Sequence, residues 1–140
     1  MIAMVLIGII ASIAIPQYLR LHRKAMRAEP LPNLRSIGVA EQAYFVADGS
    51  WVVAGPNPEA SLGPRARPFD ATRADWRPLG WFPDRDVRCT YSATLMDHGS
   101  HVRAEAVCDL DGDREYAILR YEVPAGDQQG TFLDLYPERF

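Results

Sequence analysis

The sequence predicts an α+β fold: a long N-terminal helix, apolar in its first half and amphipathic in its second, packed on a small antiparallel β-sheet head. Three observations predict it. Residues 1–15 read MIAMVLIGIIASIAI, with no charge and with Ser12 as the one polar side chain. Leu34, Ile37, Ala40 and Tyr44 recur at the spacing that places them on one face of a helix. After Pro83, apolar residues alternate with polar ones in two runs separated by Asp97-His98-Gly99-Ser100, the pattern of a half-buried hairpin. At 140 residues the chain holds one membrane-length element and one compact domain, divided as 1–28 and 29–140.

The first element, at 15 residues, spans ~22 Å as an α-helix, short of the ~30 Å hydrocarbon core of a bilayer. A signal peptide is disfavoured, because no basic residue precedes the run and Pro16-Gln17-Tyr18 follows where a small-residue cleavage site would stand. Gly8 and Ser12 lie on one helix face, and small residues at that spacing let a second backbone approach closely in an apolar medium. Pro16 lacks an N–H, leaves the Ser12 carbonyl without its intrahelical donor, and predicts a kink or an opening there. Arg20, Arg23, Lys24 and Arg27 follow. Taken alone, the positive-inside rule would keep this end in the cytoplasm; the same residues also fit a solvated helix face whose charged heads reach the lipid headgroups.

Glu29-Pro30-Leu31-Pro32 predicts an interruption, with Asn33 capping a second helix over 33–48 that stops beside Gly49. Residues 55–83 read as one long connecting loop, with prolines at 56, 58, 64, 68, 78 and 83 and no periodicity. Within it, Trp76, Trp81 and Phe82 read as anchors to the core or, more sharply, as contacts to a neighbouring subunit. Antiparallel strands follow over about 86–136, with Tyr116–Val123 as a third and Thr131–Tyr136 as a short fourth. If Cys89 faces Cys108 across the hairpin, the same register opposes Tyr91 with Ala106, Ala93 with Ala104 and Leu95 with Val102. Every such pair is apolar, and a slip by one residue would turn one strand's set to the opposite face.

The stretch MIAMVLIGIIASIAIPQY, with Gly8, the run from Ala11 to Ile15, then Pro16 and Tyr18, resembles the N-terminal helix of type IV pilins and of the related pseudopilins of type II secretion. Asn33 to Ile37 and Ala40 to Phe45 resemble the second half of that helix more weakly, and the head matches in general layout. The resemblance implies a structural subunit that polymerises through its N-terminal helix, with Ile2, Val5, Gly8, Ile9, Ser12, Ile13 and Pro16 on the assembly face. It implies as partners other copies of the chain in a helical filament, the inner membrane before assembly and the pilus assembly machinery, with no cofactor. The final location would be an extracellular pilus at the cell surface. In the family, the segment before this proline is associated with local melting in assembled pili. Family members open with a basic leader removed after a glycine, then a few apolar residues and a glutamate. Against that pattern Met1 falls about six residues inside the mature helix, and the missing residues would complete a full span. A head outside the cytoplasm would oxidise Cys89 and Cys108 to a disulfide. A minor pilin or type II secretion pseudopilin is the alternative within this class. Outside it stands a membrane-anchored binding or sensor module whose loop 55–83 holds a ligand.

Other chemistry is weakly signalled. A formal net charge of -3 supplies no basic excess to hold a phosphate backbone, so no nucleic-acid partner is expected. Asp109, Asp111 and Asp113 alternate as in the opening of a calcium loop, but Arg114 stands where such loops want glycine and no glutamate closes the motif. A solvated turn between strands is the better reading. His98 and His101 with Asp97 make an incomplete zinc set and read as turn residues; no metal is expected. No nucleophile motif, P-loop or dinucleotide fingerprint is present, so the chain does not read as an enzyme.

Overall fold

A computed structural model describes residues 2–59, 63–126 and 129–140; Met1, residues 60–62 of the 55–83 loop, residues 127–128 and the side chains of Ile2 and Leu6 lie outside the described residues. The fold is α+β, a long N-terminal helical rod on a five-stranded antiparallel sheet. Helix α1 covers Ile2–Met26 and α2 covers Pro30–Asp48. The sheet runs in sequence order: β1 Ala54–Asn57, β2 Thr90–Met96, β3 His101–Cys108, β4 Ala117–Pro124 and β5 Thr131–Asp134.

The interruption expected at Glu29–Pro32 is slighter than the prolines suggest. Ala28 and Glu29 donate to the carbonyls of Ala25 and Met26, three residues back, so the turn between the helices is only tightened. Pro30 and Pro32 then fall in the first turn of α2, where N–H groups have no intrahelical partner to lose. Glu29, itself in helical geometry, stands at the N-cap position. Asn33 is therefore not a cap: it lies inside α2, and its Nδ2 donates to the buried Tyr91 hydroxyl at 2.8 Å. At the other end Gly49 takes φ 75°, and its N–H bonds the Phe45 carbonyl, closing α2 beside Asp48 as expected.

Against the sheet α2 lays Leu34, Ile37 and Gly38, which meet the inward residues of the central strands. Those residues are small: Ala93, Ala104, Ala106 and Ala117 are fully buried and let the helix sit close. Cys89 and Cys108 are bonded, and β2 pairs with β3 through Tyr91 and Ala106, Ala93 and Ala104, and Leu95 and Val102. The apolar face runs out before the hairpin tip, so Leu95 is 46% exposed although Val102 opposite is buried. On the outer face, Arg103 pairs with Glu122 and Arg120 with Glu105 across β3 and β4.

The long loop contains a strand that periodicity does not signal. Ala54–Asn57 adds to the sheet edge as β1, pairing Ala54 with Ala93 and Asn57 with Tyr91 through an irregular step. Its sequence, Ala-Gly-Pro-Asn, has no β propensity, and tertiary contacts hold it instead. Asp75 accepts the Gly55 N–H, the Trp76 indole donates to the Gly55 carbonyl, and Asn57 bonds Asp70 through both amide atoms. Trp76 and Trp81 are buried with Phe69 and Tyr91 in a chain of ring contacts 5.0–5.8 Å between centroids. Of the four aromatics in the loop, Phe82 alone turns outward, 66% exposed.

Candidate functional site

The candidate site is the projecting half of the rod. Residues 2–19 carry no charge, and the 25 residues of α1 extend ~37 Å, so the helix is long and apolar enough to cross a membrane. Its most apolar window is 0% buried by the rest of the chain. Val5, Ile9 and Ile13 form one row along the helix; Gly8, Ser12 and Pro16 form the adjacent row, and all six are exposed. A side chain on Gly8 would meet nothing within 4 Å, so the shallow side of α1 is open to a second surface. Ser12 donates its hydroxyl to the Ile9 carbonyl at 2.7 Å, which leaves no unpaired donor on that face and makes it fit for an apolar medium. Helical geometry continues through Pro16.

How α1 is mounted differs from the solvated basic face that residue type suggests. Arg23 pairs with Asp111 at 3.3 Å, and Arg27 reaches the C-terminal strand and tail. The Arg27 guanidinium holds both carboxylate oxygens of Asp134 at 2.7 Å and also donates to the carbonyls of Tyr136 and Arg139 at 2.7 and 2.8 Å. A planar fork with several donors suits such a set of acceptors better than an ammonium would. Arg20 and Lys24, on the adjacent row of α1, have no ion pair among the described residues. The basic run thus divides into two cations that fasten α1 to the head and two that make no ion pair with it among the described residues. The spacing Arg23 to Arg27, one helix turn, is the signal that marks a shared face; nothing local in the sequence pairs it with Asp111 and Asp134.

Arg27→Ala is expected to free the C-terminal tail rather than to unfold the head. Loss of its hydrogen bonds should cost about 2 kcal/mol, moderated by the partial exposure of Asp134. Residues 134–140 should then exchange amide hydrogens faster and be trimmed sooner by carboxypeptidase, while β2 and β3 stay protected.

The acidic turn after β3 is less solvated than expected. Asp109 is buried, and its Oδ1 accepts the Gly112 N–H; Asp113 accepts the Glu115 N–H. Ligand-type oxygens of Asp109, Asp111 and Asp113 lie within 4.8 Å of one another, a hard-oxygen donor set. Burial pushes the Asp111 carboxyl up, Asp113 adds to the rise, and Arg23 pulls it down. The turn is thus used as a socket for α1. At the hairpin tip, His101 faces Asp97 at 3.7 Å and Ser100 at 3.0 Å, while His98 is exposed, and neither histidine belongs to a cluster of three candidate ligands among the described residues.

No family model, no curated protein and no solved structure matches this chain.

Proposed function

We propose that this chain is a structural subunit of a type IV pilus or a related extracellular filament, held in the inner membrane by α1 before assembly and packed against other copies through that helix afterwards. The observation that carries the reading is the 25-residue α1, whose apolar window is uncovered and which runs on into a helix already packed on a disulfide-bonded head. So much apolar surface is unfavourable in water and calls for lipid or other helices around it. A subunit that passes from bilayer to filament meets both in turn. α2 adds support, since Val39 and Val46 are 61% and 85% exposed beside a groove lined by Arg35, Ala43, Tyr121 and Gly130. A minor pilin or pseudopilin would share this architecture and differ in the extent of polymer. The anchored sensor has less support, because Trp76 and Trp81 of its ligand loop are committed to the core.

Deleting residues 3–26 tests the reading. The truncated head should be soluble and disulfide-bonded, and electron micrographs of sheared material should contain no filaments of it. Filaments built from the truncated chain would overturn the proposal. A full-length chain that stays in the membrane fraction and never enters sheared material would favour the anchored module instead.

A further inference from the structure

Glu41 lies on the buried face of α2 with Leu34, Ile37 and Gly38, and is 0% exposed. A carboxylate taken out of water needs partners for both oxygens, or its burial is costly. Oε2 has one, the backbone N–H of Val52 at 3.1 Å. Oε1 is buried without a hydrogen-bond partner among the described residues. Nor does a cation compensate. Residues 50–53, whose Val52 N–H reaches Glu41, contain no titratable side chain. Arg103 on β3 and Arg120 on β4 are engaged by Glu122 and Glu105 on the outer face of the sheet, and Arg77 is exposed on the short turn 77–79 that also touches α2. The remaining titratable groups on the packed elements are Arg35, Tyr44 and Asp48 on α2, Tyr91 on β2, Tyr121 on β4, and Asp97, His98 and His101 at the hairpin tip; Arg35 lies over the Phe132 ring, Tyr91 accepts from Asn33, and none is hydrogen-bonded or ion-paired to Glu41.

What Glu41 holds is the return of the chain from α2 to the sheet edge. Beyond the left-handed Gly49, residues 50–53 fold back along the helix, and three contacts fasten them. These are the Val52 N–H on Glu41, the Trp51 ring stacked on Phe45 at 4.3 Å, and the Trp51 indole on the Gly99 carbonyl at 3.1 Å. The next residue, Ala54, begins β1.

We infer that Glu41 is a proton-operated latch, closed on Val52 when its carboxyl is protonated and opening residues 50–53 away from α2 when it ionises. The protonated acid leaves no charge in the core and still accepts the Val52 N–H through its carbonyl oxygen. The ionised form leaves a charged, unpartnered oxygen in an apolar site, and the cheapest relief is to move the carboxylate and its covering segment toward water. Burial raises the Glu41 carboxyl from 4.5 to about 7, opposed by the Val52 N–H. Because the closed-state value lies above the open-state one, docking is strongest below about pH 4.5 and weakens as pH rises through about 7. A modest change around neutrality would then loosen the β1 edge while leaving the disulfide-bonded hairpin in place.

Hydrogen exchange of the full chain in detergent micelles, with rates corrected for chemical exchange, tests the latch. The opening constant of residues 50–55 should rise on the order of 100-fold between pH 5 and pH 8.5, while amides of β3 show no comparable change. Glu41→Gln, which cannot ionise, should abolish that rise. An opening constant independent of pH in the wild type, or the same pH dependence in Glu41→Gln, would overturn the inference. Should Glu41→Gln fail to fold, the carboxyl carbon-13 shift of Glu41 in the wild-type chain decides: a midpoint near 7 supports the latch, and one below 5 refutes it.

Discussion

Gly38→Val is expected to destabilise the head by about 3 kcal/mol, because α2 crosses the sheet on this residue with no room for a branched side chain. A Cβ at Gly38 would stand 2.7 Å from Cδ1 of Tyr121 and 2.8 Å from Cγ2 of Val123. The tyrosine is confined on two sides. Its ring packs on Phe132 at 4.5 Å between centroids, and on its other side a Cβ at Gly130 would lie 2.6 Å from the phenolic oxygen. Tyr121 therefore fills a slot between two glycines, and a larger residue at 38 must lift the helix or drive the ring out of its packing on Phe132 toward the groove. Helix propensity works in the opposite direction, since glycine inside a helix costs up to about 1 kcal/mol relative to alanine, but overpacking of backbone-close contacts outweighs it. Chemical denaturation of the full chain in detergent, followed by near-ultraviolet dichroism of the buried tryptophans, measures the loss. Adding Tyr121→Ala should recover part of it, so that the two substitutions couple favourably in a double-mutant cycle. Equal stability of Gly38→Val and the wild type would show that α2 has room to shift outward.

Replacing both cysteines should cost about as much. Cys89 and Cys108 close a loop with a sequence separation of 19, and restricting the unfolded chain to that loop contributes ~3 kcal/mol in the chain-entropy account. Alanine is the suitable replacement, because both cysteines are fully buried, Cys108 opposite the buried Ala117 of β4, and a serine would add hydroxyls there. For a head of this size the loss corresponds to a fall in Tm on the order of 15 °C. Reduction of the wild type should give a similar fall and leave the double alanine variant unaffected. If neither treatment moved the midpoint, the register of β2 and β3 would be held by its side-chain pairs alone.

That register was legible in the sequence for a plain physical reason. Side chains on a strand alternate with a period of two, so a cysteine pair that faces across the hairpin specifies every other facing pair from Tyr91 and Ala106 to Leu95 and Val102. The apolar run from Ile2, the stop of α2 at Gly49 and the inward stripe of Leu34 and Ile37 are likewise local, since they follow from helix periodicity, hydropathy and the left-handed geometry open to glycine. Tertiary structure alone decided the rest. Ala54–Asn57 became a strand because Asp75, Trp76 and Asp70 complete its hydrogen bonds from the far side of the loop, which no local propensity records. Arg23 and Arg27 became fasteners because Asp111 and Asp134 arrive beside them from distant parts of the chain. Asn33 gave up a cap for the Tyr91 hydroxyl once the two prolines had settled into the first turn of α2. Glu41 is the sharpest instance: its residue type belongs in water, and only the packing of α2, the sheet and residues 50–53 around it turned an ordinary helical glutamate into a buried acid.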